Sequence, residues 1–246
     1  MALLRGQELF KERMEKQETS NEAMRQGNDR LYPSLANPNW LVLRARRSIF
    51  EGWSKRMSAI NMNVLDVGGR IQPYRQLIAN RSRQYIAVDL RNTPLVDVTA
   101  QAQSLPFRDG YFDLAICTQM LEYAPDPSSV IAEILRVLKP GGNLWLSVPS
   151  AAPDPGDELW RMLPAGLRIL LSSFRRVEIV PEGGSVAGLF RSMNVCLDIF
   201  VRYQAIRLLY RYTLCPLVNL TGAILEKASG GRNQQFTANY SVLAEK

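Results

Sequence analysis

The chemistry legible in this chain rests on two carboxylates and a pair of glycines. In Val64-Leu65-Asp66-Val67-Gly68-Gly69-Arg70 a buried-strand pattern runs straight into the glycines. Glycines at such a junction let a ligand approach the backbone closely. Asp66, two residues before the first of them, would repel a pyrophosphate and suits a ligand carrying an ammonium or sulfonium there. A second acid, Asp89, ends the next strand pattern, Tyr85-Ile86-Ala87-Val88. A carboxylate about 20 residues after a glycine turn can accept both hydroxyls of a ribose. Singly, each feature has a plain alternative: a tight turn without a ligand, or a solvated strand-end Asp. Together they point to an adenosine that bears a positive charge.

The 246-residue chain contains no histidine. This excludes a Ser-His-Asp triad, a Cys-His pair and any histidine-ligated zinc or iron. Cys117, Cys196 and Cys215 lie far apart in apolar runs, as buried reduced thiols do, so no metal site is expected and a reducing compartment fits. Lys and Arg number 30 against 23 Asp and Glu, a net charge of +7 that favours anionic partners. With 46% hydrophobic and 22% charged residues, the composition is that of a folded globular chain. The first ten residues hold too short an apolar stretch for a signal peptide. The longest uncharged run towards the C-terminus, residues 212–225, is shorter than the roughly 18 residues needed to span a bilayer. The expectation is a cytoplasmic protein, free or peripheral at the inner face of a membrane.

Hydrophobic periodicity divides the chain into an N-terminal helical extension or lid over 1–60, an α/β core over 61–181 completed by 234–246, and a helical insertion over 182–233. Residues 5–30 read as an exposed helix, with Glu12 and Lys16 spaced as a helical pair. Residues 39–57 read as a helix with Trp40, Leu43, Phe50, Trp53 and Met57 on one face; Arg44, Arg46, Arg47, Lys55 and Arg56 make it basic. Strand patterns follow over 63–67, 84–90, 95–99, 112–118, 143–148 and 176–180, alternating with helices over 73–79, 127–138 and 164–173. Lys139-Pro140-Gly141-Gly142 is a helix stop signal. Such alternation argues for a parallel sheet covered on both faces. The alternating residues 236–244 form a last strand that returns after the insertion to complete the sheet.

Taken together these segments resemble class I S-adenosylmethionine-dependent methyltransferases, in particular the bacterial type-11 branch. Leu105-Pro106-Phe107-Arg108-Asp109-Gly110-Tyr111-Phe112-Asp113 is similar to that branch's LPF-x-D-x-x-FD signature. Leu121-Glu122-Tyr123-Ala124-Pro125-Asp126-Pro127 is similar to its LEH-x-x-DP, and residues 133–142 to its helix-ending motif. The likeness covers about residues 60–180 and the last strand. It implies a Rossmann-like sheet, parallel with an antiparallel last strand, helices on both faces, and S-adenosylmethionine as cofactor. It further implies Asp66, Gly68 and Gly69 around the methionine moiety, Asp89 at the ribose, Leu90 beside it among the cofactor-binding residues, Gln101 and Ala102 at the adenine, and Thr118 and Gln119 lining the pocket past the fourth strand. Three positions depart from the pattern: Arg70 replaces a further glycine, Gln101 an acid that accepts from the adenine amino group, and Tyr123 a histidine.

The methyl group of that cofactor is already activated, so the protein's main task is to hold the nucleophile in line and exclude water. A hydroxyl acceptor also needs a base. The candidates are Tyr123, Asp154, Asp157, Glu158 and Glu122. A solvated loop is the plain alternative for Asp154 and Asp157, and a phenol pKa near 10 counts against Tyr123.

The basic helix over 39–57 reads as a lid on the cofactor, favoured over a lipid-bound segment by its two tryptophans. In the insertion, Arg191, Asp198 and Arg202 fall on one helical side and Arg207 and Arg211 opposite, which fits either a break near Gln204 or a helix with two wet sides. Its apolar content predicts either core packing or a homodimer face, or a membrane-surface platform for a lipid-linked acceptor. The expected function is methyl transfer to a small molecule, a glycan or a lipid-linked acceptor; the alternative is a non-catalytic binding or assembly module of the same fold. Asp66 before the glycines opposes a nicotinamide oxidoreductase. The lack of an aromatic-basic RNA motif or a base-flipping signature opposes a nucleic-acid methyltransferase.

Overall fold

The computed structural model describes residues 20–151, 153, 156–231 and 233–246. A first helix, α1, is described over residues 20–31; Glu12 and Lys16 lie outside the described residues. Helix α2 (Trp40–Arg56) precedes seven strands: β1 (Met62–Val67), β2 (Ser82–Asp89), β3 (Val98–Thr99), β4 (Phe112–Thr118), β5 (Leu138–Pro149), β6 (Arg176–Pro181) and β7 (Asn239–Glu245). They form one sheet in the order β3-β2-β1-β4-β5-β7-β6. β1 to β5 pair in parallel, and β7 enters antiparallel between β5 and β6. This is the expected architecture, with the insertion leaving the sheet after β6 and returning at β7.

The two faces of the sheet follow the alternation of the strands. Val64, Leu114, Ile116 and Trp145 point to one face, where α2 packs with Phe50 and Trp53. The Phe50 ring lies 5.1 Å from Trp145 and 4.7 Å from Tyr74, within the range of favourable aromatic contacts. Leu65, Ala115, Cys117 and Leu146 point to the other face. It is covered by α3 (Pro127–Val137) and α4 (Pro164–Leu170). Asp126 caps α3, its carboxylate accepting the N–H of Ser128 at 3.0 Å, with Pro127 in the first turn, where its missing N–H costs nothing.

Three expectations are corrected. No α-helix forms over 73–79: the chain from β1 to β2 crosses with two short 3-10 turns, Arg75–Leu77 and Ala79–Arg81. Gln72 before them is left-handed at φ +45°, and Tyr74 and Ile78 are buried in the cluster around Phe50. Helix α2 already covers the face that a crossover helix would occupy. α3 stops where the signal Lys139-Pro140-Gly141-Gly142 predicts, but the strand expected from 143 already begins at Leu138, and those four residues are its irregular start, with a register shift opposite Phe112 to Leu114. Of the three free thiols, Cys117 and Cys215 are buried but Cys196 is only partly so.

The insertion is three helices, α5 (Ser185–Phe200), α6 (Gln204–Tyr212) and α7 (Leu214–Ser229); of the two alternatives a break is found, over 201–203 just before Gln204. α6 passes into α7 through Thr213, so Gln204–Ser229 is one 26-residue run that is long and apolar enough to cross a membrane by length and composition. The uncharged stretch 212–225 understated that length. α7 is nevertheless bound to the body of the protein: Asn219 donates to the carbonyls of Leu35 and Asn37 at 2.8 and 3.0 Å. A Cβ on its Gly222 would lie 2.8 Å from Phe190 and 3.0 Å from Leu41.

A buried ion pair joins these parts. Arg46 of α2 donates Nε and Nη2 to the two carboxylate oxygens of Glu182, each at 2.8 Å, with the side chains 2% and 0% exposed. Glu182 also accepts from the hydroxyls of Ser147 and Ser241, both at 2.6 Å. Glu182→Ala would leave the guanidinium buried and unmatched, so it should lower the unfolding free energy by about 3–5 kcal/mol in urea denaturation. Arg46→Met with Glu182→Leu should recover part of that loss. A single-variant cost below about 1 kcal/mol would contradict a buried, mutually dependent pair.

Candidate functional site

A cavity of about 580 Å³ lies at the carboxyl ends of β1, β2 and β4, the end at which open α/β sheets bind ligands. Its volume suits a small molecule. One half is a shelf of Val88, Leu90, Ala100 and Ala102, with Asp89 beside it. Asp89 accepts the N–H of Arg91 through Oδ1 at 2.9 Å, leaving Oδ2 to accept from a ligand. An apolar shelf beside a free carboxylate oxygen fits an adenine and its ribose.

The glycine turn holds itself to the sheet. Gly68 lies at φ +78°, and a Cβ there would meet Met120 at 2.7 Å, so only glycine is accommodated. The N–H groups of Gly68 and Gly69 both donate to the carbonyl of Val88, at 2.8 and 3.2 Å. Asp66 lies beneath this turn, 3% exposed, and accepts the Tyr85 hydroxyl at 2.5 Å. A Cβ on Gly69 would lie 2.7 Å from the Asp66 carboxyl carbon. The structure thus brings Gly68, Asp89, Leu90, Ala102, Thr118 and Gln119 to the cavity. Asp66, Gly69 and Gln101 are not among its lining residues. For Asp66 and Gly69 the reason is that the turn folds over the acid. Burial pushes the Asp66 carboxyl up to about 7, against the opposing pull of the Tyr85 hydrogen bond.

The other half is polar and enclosed. Glu122, just past β4, is 1% exposed, lines the cavity, and has an Oε2 without a hydrogen-bond partner. Burial, reinforced by Glu158, pushes its carboxyl up to about 7. Tyr123 is 43% exposed; burial of its hydroxyl and the nearby Glu158 and Glu122 push its pKa to about 12. Glu158 pairs with Arg161. Asp157 is exposed at the rim, and Asp154 lies outside the described residues.

Three arginines enter from other parts of the chain: Arg30 from α1, Arg46 from α2 and Arg191 from α5. Sequence reasoning did not assign them to the site. Arg46 left one signal, since it stands four residues from Val42 and from Phe50, on the buried face of α2; its partner Glu182 left none.

Comparison with known proteins identifies this architecture. Residues 65–146 match the family model of a methyltransferase domain. Residues 65–146 are thus a methyltransferase domain of the class I S-adenosylmethionine-dependent kind, type-11 branch. The chain is 31% identical over 137 residues to a ubiquinone biosynthesis O-methyltransferase of Pseudomonas entomophila, and 28% identical over the same length to that of Pseudomonas fluorescens. Each match covers 46% of this chain and 58% of the relative, so the chain spans little more than half the length of these proteins. Among solved structures, a methyltransferase of Archaeoglobus fulgidus superposes with a TM-score of 0.51 at 18% identity, covering 85% of this chain and 95% of its own. A phosphoethanolamine N-methyltransferase of Haemonchus contortus gives 0.52 at 13% identity, covering 89% and 60%. These two likenesses show the fold.

Asp66 gives this methyltransferase domain a pH signature. Its folded pKa lies above the unfolded value near 4, so the stability contributed by this carboxyl is full below about pH 4 and is lost as pH rises to about 7. Asp66→Asn keeps an acceptor for Tyr85. It should match the parent's unfolding free energy near pH 4 and exceed it at pH 8. Parallel pH–stability curves for parent and variant would contradict the burial argument.

Proposed function

We propose that this chain transfers the methyl group of S-adenosylmethionine to a hydroxyl of an apolar, lipid-linked acceptor. When bound, that cofactor supplies a methyl on a sulfonium, ready for in-line displacement. Asp89 would hold the ribose and the Val88–Ala102 shelf the adenine. Because the Gly68 and Gly69 N–H groups are engaged by Val88, the methionine carboxylate falls to the cations beside the turn, Arg30 and Arg70. The observation that carries the reading is Glu122. A buried carboxylate with a free oxygen in the enclosed half, titrating near neutrality, suits a general base that takes the proton of an acceptor hydroxyl. The O-methyltransferase relatives support a hydroxyl as the acceptor group.

Turnover measured with a phenolic amphiphile in anionic vesicles should rise through about pH 7 and level off above it, as Glu122 ionises. Glu122→Gln should lower kcat by about 10²–10⁴-fold and remove that pH limb, with S-adenosylhomocysteine affinity retained. A Glu122→Gln enzyme with near-parent kcat would refute the assignment. Cofactor binding without turnover on any hydroxyl acceptor would favour a non-catalytic module.

The insertion supports the apolar half of the proposal. α5 exposes Leu189, Met193, Leu197 and Phe200 along one stripe. The turn into α6 presents Phe200, 82% exposed, then Arg202 and Tyr203, 70% exposed. Apolar, aromatic and basic residues so interleaved make an interfacial segment. The hold of Asn219 and Gly222 on the body of the protein supports α7 lying along a surface rather than through it. Docking is therefore to an anionic leaflet at the inner face of a membrane, where each basic residue adds about 1 kcal/mol. Liposome flotation should show binding that requires anionic lipid, weakens with salt and falls in Phe200→Ser/Arg202→Glu. Failure to float with anionic vesicles at low salt would overturn this platform.

A further inference from the structure

We propose that the enclosed half of the cavity is an oxyanion site, in which Arg191 binds a phosphate or carboxylate group of the acceptor beside the hydroxyl to be methylated. The proposal rests on the reading of the cavity as a joint cofactor and acceptor site. Arg191 reaches the cavity from α5, the first helix of the insertion. Its Nε donates to Asn39 Oδ1 at 2.9 Å, and its Nη1 is buried with no partner. Among the described residues no carboxylate pairs with it. The acids around it are engaged or remote: Glu182 is held by Arg46, Glu158 pairs with Arg161, and Asp157 is exposed at the rim. Glu122 lines the same cavity but is not among the charged groups that act on Arg191.

The charge on Arg191 is therefore unmatched. Burial and the nearby Arg46 and Arg161 push its pKa down to about 10, so it stays cationic at neutral pH in a place that penalises a cation. A buried charge without a partner is costly, and the rigid fork of a guanidinium matches a phosphate or carboxylate in two bonds. This position is distinct from the cations beside the glycine turn. Both feel the charge of Arg46, but Arg30 lies towards Arg70 and Arg191 towards Arg161, Glu158 and Glu182. An acceptor oxyanion held here would keep the rest of the acceptor in the cavity that Glu122 also lines and lead its apolar part towards the insertion that supplies Arg191.

The test uses the full chain saturated with S-adenosylhomocysteine and titrated with inorganic phosphate. Arg191→Gln should weaken phosphate binding by about 10- to 100-fold, leave S-adenosylhomocysteine affinity unchanged, and raise the melting temperature of the ligand-free protein by removing the unmatched cation. Arg191→Lys, which keeps the charge but loses the fork, should also bind phosphate more weakly and preserves the packing if the first variant does not fold. Dihexanoyl phosphatidic acid binding more tightly than phosphate would assign the anion to a lipid headgroup; equal affinities would assign a free small anion. Equal phosphate affinity in parent and variants, or phosphate that binds only when S-adenosylhomocysteine is absent, would overturn the oxyanion site. Binding of S-adenosylhomocysteine without phosphate would overturn it alone, whereas phosphate held by Arg191 without S-adenosylhomocysteine binding would overturn the cofactor reading and leave the site standing.

Discussion

The buried pair of Arg46 and Glu182 sits where four parts of the chain meet. Arg46 comes from α2, Glu182 follows β6 at the head of the insertion, and the two serines that complete the carboxylate's bonding come from β5 and β7. Separating any of these parts would strand a charge in a dry interior, which costs more than most single contacts contribute. The N-terminal helix, the antiparallel strand and the insertion are thus one mechanical unit with the sheet. The same guanidinium lines the cavity, so the floor of the enclosed half inherits that rigidity. Because α5 begins three residues after Glu182, the position of Arg191 depends on it as well.

A second constraint follows from how α2 packs. With α2 laid over Phe50, Trp53 and Trp145, the crossover from β1 to β2 contributes only short turns. A full helix there would present its N-terminal N–H groups to an anion. Here that feature is missing, and the two glycine N–H groups are bound to Val88. In the proposed reading, anion recognition falls to arginine side chains that line the cavity from α1, the turn and α5. This accounts for an arginine at position 70 where a glycine is usual, and for a site rich in guanidinium groups in a chain with no histidine.

Much of this was legible in the sequence because it depends on local pattern. The strands ending at Val67 and Asp89 are apolar runs closed by glycine or acid, the strand ending at Thr118 is an apolar run by itself, and the Asp126-Pro127 cap marks the start of α3. The last strand showed in its alternation, although pairing begins at Asn239 rather than Phe236. What could not be read depends on distant partners. The pairing of Arg46 with Glu182, 136 residues apart, left only the place of Arg46 on the buried face of α2 and nothing around Glu182. Nor did the sequence reveal that Gly69 folds over Asp66: an acid before a glycine turn looks the same whether it faces a ligand or Tyr85. The missing crossover helix was concealed because a helix far upstream had taken its place.

The central claim is that Asp89 and the shelf beside it bind the adenosine of S-adenosylmethionine, which orients everything else in the cavity. Calorimetric titration of S-adenosylhomocysteine into the parent and into Asp89→Ala tests it most directly. Loss of a charged acceptor for the ribose hydroxyls should cost on the order of 1–3 kcal/mol in the variant, about ten- to a hundred-fold in Kd. Undiminished affinity in Asp89→Ala would contradict the account.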